Sequence, residues 1–119
     1  MNVFLVEDSP LLRPRLEALL ASIAGARLAG QAAGAQAAIS AILAEPPDTV
    51  VLDIHLEQGS GFDVLKALHR SAPQVAVYVL TNFPTEPYRR KAERLGARGF
   101  FDKSSELGLL REALAAGAG

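Results

Sequence analysis

Four places in this 119-residue chain set a polar or charged residue at the end of a short apolar run. Glu7 and Asp8 follow Asn2 to Val6, Asp53 closes the run Thr49-Val50-Val51-Leu52, Thr81 follows Val75 to Leu80, and Lys103 comes soon after Gly99-Phe100-Phe101. Asp53 is the most demanding, because a carboxylate ending a strand that is apolar on both faces costs several kcal/mol unless it is paired or ligated. Three carboxylates brought together would repel, and at least one would take up a proton. A hard divalent cation removes that conflict. Mg²⁺ suits the site because it accepts a few carboxylate oxygens while keeping several waters. The Thr81 hydroxyl and the compact Lys103 ammonium both suit the oxygens of a tetrahedral anion. A carboxylate nucleophile, a metal and a lysine together describe formation of an aspartyl phosphate, in which positioning and charge neutralisation provide most of the catalysis.

The elements that must hold these groups can be read in order. Asn2 to Val6 is the first strand. Ser9 is an expected N-cap with Pro10 at the first helical position, and Leu12, Leu16, Leu19, Leu20 and Ile23 form one stripe that stops at Gly25. Pro14 costs ~3 kcal/mol in a helix interior, so either the helix starts later than Ser9 suggests or its first turn is distorted. Arg27 to Ala32 is an expected edge strand, and Ala35, Ala38, Ile39, Ile42 and Leu43 mark a second helix closed by Glu45-Pro46-Pro47-Asp48. The third strand runs from Thr49 to Asp53, and a third helix with Phe62, Leu65 and Leu68 runs to about Arg70. Val75 to Leu80 is the fourth strand. Thr85 is an expected N-cap for a basic helix through Tyr88, Ala92 and Leu95 to Gly96. Gly99 to Phe101 is the fifth strand, and the last helix spans Ser105 to Ala116 with Leu107, Leu110 and Leu114 inward, before a frayed Gly117-Ala118-Gly119. Five strands alternating with five helices imply a parallel sheet covered on both faces, and the continuous apolar strands agree. In such sheets ligands bind beyond the carboxyl ends of the strands, where the four polar positions lie.

Composition narrows the functional classes. Half the residues are hydrophobic and the net charge is −1, which describes one globular domain without the basic stripe that broad nucleic-acid binding requires. The absence of cysteine removes disulfides, thiolate chemistry and zinc ribbons, and makes a reducing cytoplasm the natural setting. Met1 leads directly to Glu7 and Asp8 without a signal-peptide pattern, and no apolar run approaches a membrane span.

Val6-Glu7-Asp8, Val51-Leu52-Asp53-Ile54, the glycine-bearing loop through Gly61, Leu80-Thr81, and Gly96-Ala97 leading to Phe100-Phe101-Asp102-Lys103 together resemble the receiver domain of bacterial two-component response regulators. The resemblance covers residues 1–119 as one domain and implies a flavodoxin-like (βα)5 three-layer α/β sandwich with strand order 2-1-3-4-5. It makes Asp53 the phosphoacceptor and Asp8 and Asp53 direct Mg²⁺ ligands, with Glu7 acting through a metal-bound water and the backbone carbonyl of His55 completing the set. Thr81 matches the switch hydroxyl, Lys103 the lysine that pairs with the phosphoryl group, and Phe100 the aromatic that moves between outward and inward rotamers. No organic cofactor is implied. The resemblance further implies a switch that catalyses only its own phosphorylation and dephosphorylation, with a histidine kinase or phosphotransfer protein as donor. A downstream effector or attached output domain, and a homodimer, are the other partners it brings, read from the surface of the fourth helix, fifth strand and fifth helix. Three departures stand out: Asn82 replaces a smaller residue, Phe100 replaces the frequent tyrosine, and Ser104 replaces the proline that often follows the lysine.

Other readings compete. A receiver-like module working by surface alone would not need Asp53, Thr81 and Lys103 together. An aspartate-nucleophile phosphatase usually needs an acid/base carboxylate two residues after the nucleophile, and here His55 stands there. A flavin-binding relative would want a phosphate-cradling loop after the first strand, where Glu7 and Asp8 would repel it. A receiver cut from a longer DNA-binding regulator is a further alternative. His55 lies near enough to affect phosphate lifetime, His69 reads as a solvated helix residue, and Arg89, Arg90, Lys91 and Arg94 read as a solvated face.

Overall fold

Buried parallel strands and amphipathic crossovers produce the architecture that the alternation implies. The computed structural model describes residues 1–118. Its elements are β1 (Asn2–Val6), α1 (Leu12–Ala21), β2 (Arg27–Ala32), α2 (Ala35–Ala44), β3 (Thr49–Leu52), α3 (Gly61–Ser71), β4 (Ala76–Thr81), α4 (Glu86–Arg94), β5 (Gly99–Asp102) and α5 (Leu107–Ala118). The strands form one parallel sheet in the order β2-β1-β3-β4-β5. This is the flavodoxin-like order, with β2 and β5 at the edges.

The pleat sorts the side chains into two cores, because successive strand residues point to opposite faces. Phe4, Val6, Val50, Leu52, Val77, Val79 and Phe100 pack against α2, α3 and α4. Val3, Leu5, Val51 and Leu80 pack on the other face against Leu16 and Leu20 of α1 and Leu110 and Leu114 of α5. Among the described residues no helix is long and apolar enough to cross a membrane.

Where boundaries differ from the expected ones, a local hydrogen bond explains the difference. Ser9 does cap a turn, its Oγ accepting from the Leu12 N–H at 3.2 Å and its carbonyl from Arg13 at 3.1 Å, but α1 proper starts at Leu12. Pro14 therefore falls in the first turn, where N–H groups lack intrahelical acceptors anyway. β3 ends one residue before Asp53. The Asp53 N–H still bonds to the Val6 carbonyl at 2.9 Å, but its carboxylate accepts from the His55 N–H at 3.2 Å, a local turn that ends the strand there. β4 starts after Val75, whose N–H bonds back to Ala72 at 3.0 Å. β5 extends to Asp102, and α5 begins later than Ser105 because a closed turn precedes it: Ser104 donates to Asp102 Oδ1, and Asp102 and Glu106 exchange bonds.

Other expectations need correction. Thr85 occupies the N-cap position of α4 but makes no side-chain capping bond, so its extended backbone alone sets the entry. Leu43 points outward, since α2 turns only Ala35, Ala38 and Ile42 fully inward. α5 continues through Gly117 to Ala118, where Ala118 packs into the second core; Gly119 lies outside the described residues.

Gly61 shows how tightly α3 is set against the sheet. A Cβ added there would collide with the Asp53 carbonyl and the Ile54 backbone, and the Gly61 N–H donates to the Ile54 carbonyl at 2.8 Å. Because backbone cannot yield as a side-chain tip can, Gly61→Ala is expected to destabilise by at least the ~1–3 kcal/mol typical of overpacking. Urea unfolding checks this; an unchanged midpoint would contradict it.

Candidate functional site

Strand parity brings the charged groups together. Glu7 and Asp53 each lie one residue beyond a strand, in phase with Leu5 and Val51, and Lys103 continues the phase of Phe101. All three thus belong to the face covered by α1 and α5. Thr81 lies in the opposite phase, that of Val77 and Val79.

β4 separates β3 from β5, so a group from the β5 end must span two strand spacings, roughly 10 Å, to reach Asp53. The long lysine side chain, the Asp53 side chain reaching toward it and the bond between them together close that gap. Lys103 Nζ lies 2.8 Å from Asp53 Oδ2 and 2.8 Å from Glu7 Oε1. Glu7 is 2% exposed and Asp53 4% exposed, and the Lys103 side chain is nearly buried between them.

The remaining acceptors are filled by backbone. Glu7 Oε2 takes the Ser9 N–H at 3.0 Å, and Asp8 Oδ2, at the half-buried rim, takes the Glu57 N–H at 2.7 Å. One carboxylate oxygen from each of Glu7, Asp8 and Asp53 lies within 4.8 Å of the others. Three carboxylates face one ammonium, an excess of negative charge in a poorly solvated place. Oxygen-only donors with such an excess fit a hard divalent cation such as Mg²⁺ and do not suit a soft one.

Burial pushes the Glu7 carboxyl above the usual carboxylate range, outweighing the bonds from Lys103 and Ser9 that pull it down. Burial also works against the Lys103 ammonium, but its bonds to Asp53 and Glu7 prevail and hold it above the ordinary lysine value.

Thr81 is fully buried, and its Oγ1 accepts from the Phe83 N–H at 3.0 Å. Its own hydroxyl proton remains available for an acceptor in the site. The residues two positions beyond Asp53 and Thr81 come together beside the strand ends. His55 follows Asp53 by two, Phe83 follows Thr81 by two, and their rings meet at a tilt of 43° with centroids 4.4 Å apart; Tyr88 of α4 lies 5.6 Å from His55. Sequence reading singled out His55 but missed Phe83 and Tyr88. The equal offset from two adjacent parallel strands was the available signal.

Phe100 is 6% exposed, in the core beneath α4, and Asn82 is exposed at the mouth of the site. The Lys103–Ser104 peptide is trans, as are all those described. His69 is exposed, as expected. The basic face of α4 is not uniformly solvated: Arg89 lies 4.8 Å over the Phe100 ring and Lys91 4.4 Å over the Phe62 ring. Sequence could not show this, because a cation on a helix surface looks the same with or without an aromatic partner from another element.

Residues 3–115 match the family model of the response regulator receiver domain. An uncharacterized transcriptional regulatory protein, YvfU of Bacillus subtilis (strain 168), is 31% identical over 114 residues, covering 96% of this chain and 57% of its own length. The chain spans about half the length of the curated relatives it matches. A two-component response regulator of the LuxR family from Aurantimonas sp. SI85-9A1 superposes with a TM-score of 0.87 at 28% identity, covering 98% of this chain and 85% of that one. A LuxR-family DNA-binding response regulator from Staphylococcus aureus superposes with a TM-score of 0.89 at 20% identity, covering 99% of this chain and 98% of that one, a likeness of fold.

Lys103→Met should cost about 3 kcal/mol near pH 8 in chelator-treated buffer, because it leaves two buried carboxylates without their cation. The loss should be smaller near pH 5. Glu7 binds its proton more tightly folded than unfolded, so as pH rises through its raised range the folded state loses stability relative to the unfolded one, and the variant meets this loss without compensation. The Lys103 contribution is present below the ordinary lysine value and is lost only as pH passes its raised value, so wild type keeps it at both pH values. Urea unfolding of both proteins at the two pH values checks this, and equal losses would contradict it.

Proposed function

The chain belongs to the response regulator receiver family, whose shared function is a phosphorylation switch, and from that premise we propose that Asp53 is its phosphoacceptor. The observation that carries the reading is the buried Asp53 carboxylate held by Lys103 at 2.8 Å within 4.8 Å of two further carboxylates.

In the proposed step an Asp53 oxygen attacks the phosphorus of a phosphohistidine on a sensor kinase or phosphotransfer protein. The new O–P bond forms as the N–P bond breaks, and the bonding pair leaves with the imidazole nitrogen. Asp8, Asp53 and the His55 backbone carbonyl would hold Mg²⁺, with Glu7 acting through a bound water. The ion would supply neutralisation of the charge that builds on the phosphoryl oxygens. Lys103 exchanges its bond to Asp53 Oδ2 for one to a phosphoryl oxygen, so its charge follows the anion. The Thr81 hydroxyl donates to another. Thr81 and Phe100 would then bias the α4, β5 and α5 surface, by a population shift between two arrangements.

Return to the resting state needs water at phosphorus, breaking the O–P bond to give free phosphate and the Asp53 carboxylate. Both reactions act on the chain itself, which makes it a switch more than an enzyme with turnover on external substrates. A downstream effector, an output domain on the same polypeptide, or a second copy would read the surface. A cytoplasmic setting, without direct contact to nucleic acid or membrane by this domain, fits the reading.

Incubation with acetyl phosphate and Mg²⁺ should add about 80 Da, the mass of one phosphoryl group. The adduct should be absent from Asp53→Ala and from chelator-treated protein; labelling of the variant, or none in either, would overturn the reading. Because His55 lies two residues from Asp53 and its ring is packed against Phe83, His55→Ala should open the approach to the phosphoryl group and speed its loss severalfold. Radiolabel decay measures this, and an unchanged rate would remove His55 from the process.

A further inference from the structure

α4 has an unusual attachment to the rest of the domain. Ala92 is its only buried residue among the nine from Glu86 to Arg94, with Tyr88 partly buried beside it. One methyl group supplies little apolar area, so the helix depends on other contacts to fix its position. Two of these are cations on aromatic faces, Lys91 on Phe62 and Arg89 on Phe100.

The Arg89 contact has two parts directed at one residue. Its Cζ lies 4.8 Å from the Phe100 ring centroid, inside the range for cation–π attraction. Its Nη1 donates a long bond, 3.5 Å, to the Phe100 carbonyl. The guanidinium is set from its own side by Glu86, whose carboxylate lies 3.5 Å from Nε one helical turn earlier. A planar group can lie over a ring and reach past it to a carbonyl, a combination lysine cannot reproduce. Phe100 is thereby covered by α4 and packed on β5 against the core that includes Val79 and Ala92.

We propose that Arg89 is the positioning residue that holds the Phe100 ring buried, and so couples the rotamer of Phe100 to the position of α4. Turning the ring outward forfeits the stacked cation, and displacing α4 removes the guanidinium from both ring and carbonyl. The two movements therefore become one equilibrium, with Arg89 weighting its buried side. The inference deepens the proposed switch and rests on Phe100 being its moving aromatic, but the coupling itself requires no phosphoryl group.

The test uses the unphosphorylated chain without Mg²⁺, so its outcome is independent of whether Asp53 accepts phosphate. Three-bond NMR couplings across the Cα–Cβ bond of Phe100 report its rotamer population. Wild type should show a single well. Arg89→Ala should show couplings averaged between wells, and Arg89→Met, which keeps an apolar stem without the guanidinium, should also be averaged. Arg90→Ala, a charge loss at the neighbouring exposed position, should leave the single well intact. Unchanged couplings in Arg89→Ala, a single well in Arg89→Met, or averaging in Arg90→Ala would each overturn the proposal.

Discussion

The ammonium of Lys103, bonded at once to Asp53 and Glu7, is the interaction on which the rest of the site depends. Without it the strand ends would gather carboxylates with nothing to oppose their repulsion, and burial would drive protons onto them. With it, the buried Asp53 and Glu7 carboxylates share one bonded cation. A buried pair of this kind is weak evidence of stability in itself, since its desolvation cost offsets most of the attraction. Its value lies in placement. One cation on a long, flexible stem sits between two carboxylates from different strands and fixes where both of them point.

The order of elements and the gathering of Glu7, Asp8, Asp53 and Lys103 at the strand ends were legible in the sequence, because both follow from local pattern. Apolar runs bounded by Pro, Gly and Asp mark the strands, and Asp53 declares itself by ending one of them. What was not legible depended on pairing across elements or on a single turn. The one-residue shortening of β3 comes from the Asp53 side chain taking the His55 N–H, and the late start of α5 from Ser104 folding back on Asp102. Arg89 and Lys91 read as solvent-facing because no periodicity records the rings of Phe100 and Phe62 beneath them. Leu43 shows the converse limit, an apolar residue at helical spacing that finds no partner and remains outside.

Site and surface are linked by a short chain of contacts. Thr81 ends β4, and Phe100 of β5 is paired with Val79 of β4, so the Thr81 hydroxyl and the buried ring belong to adjacent, paired strands. α4 follows directly from the loop that carries Phe83, whose N–H is bonded to Thr81. A change in the partner of the Thr81 hydroxyl thus acts on the entry to α4 and on the floor beneath it together. Elements with few buried apolar contacts are the ones that open and shift at low cost, and α4 is such an element.

The close approach of Gly61 to Asp53 has a mechanical meaning. With backbone against backbone there is no slack between the start of α3 and the Asp53–Ile54 segment, so that side of the site behaves as a fixed jaw. α4, held by one buried alanine, the partly buried Tyr88 and two cations over aromatic rings, is the jaw that can travel. Of the two sides, only the α4 side has give, and a single hydrogen atom in place of a methyl group at position 61 keeps the other one closed.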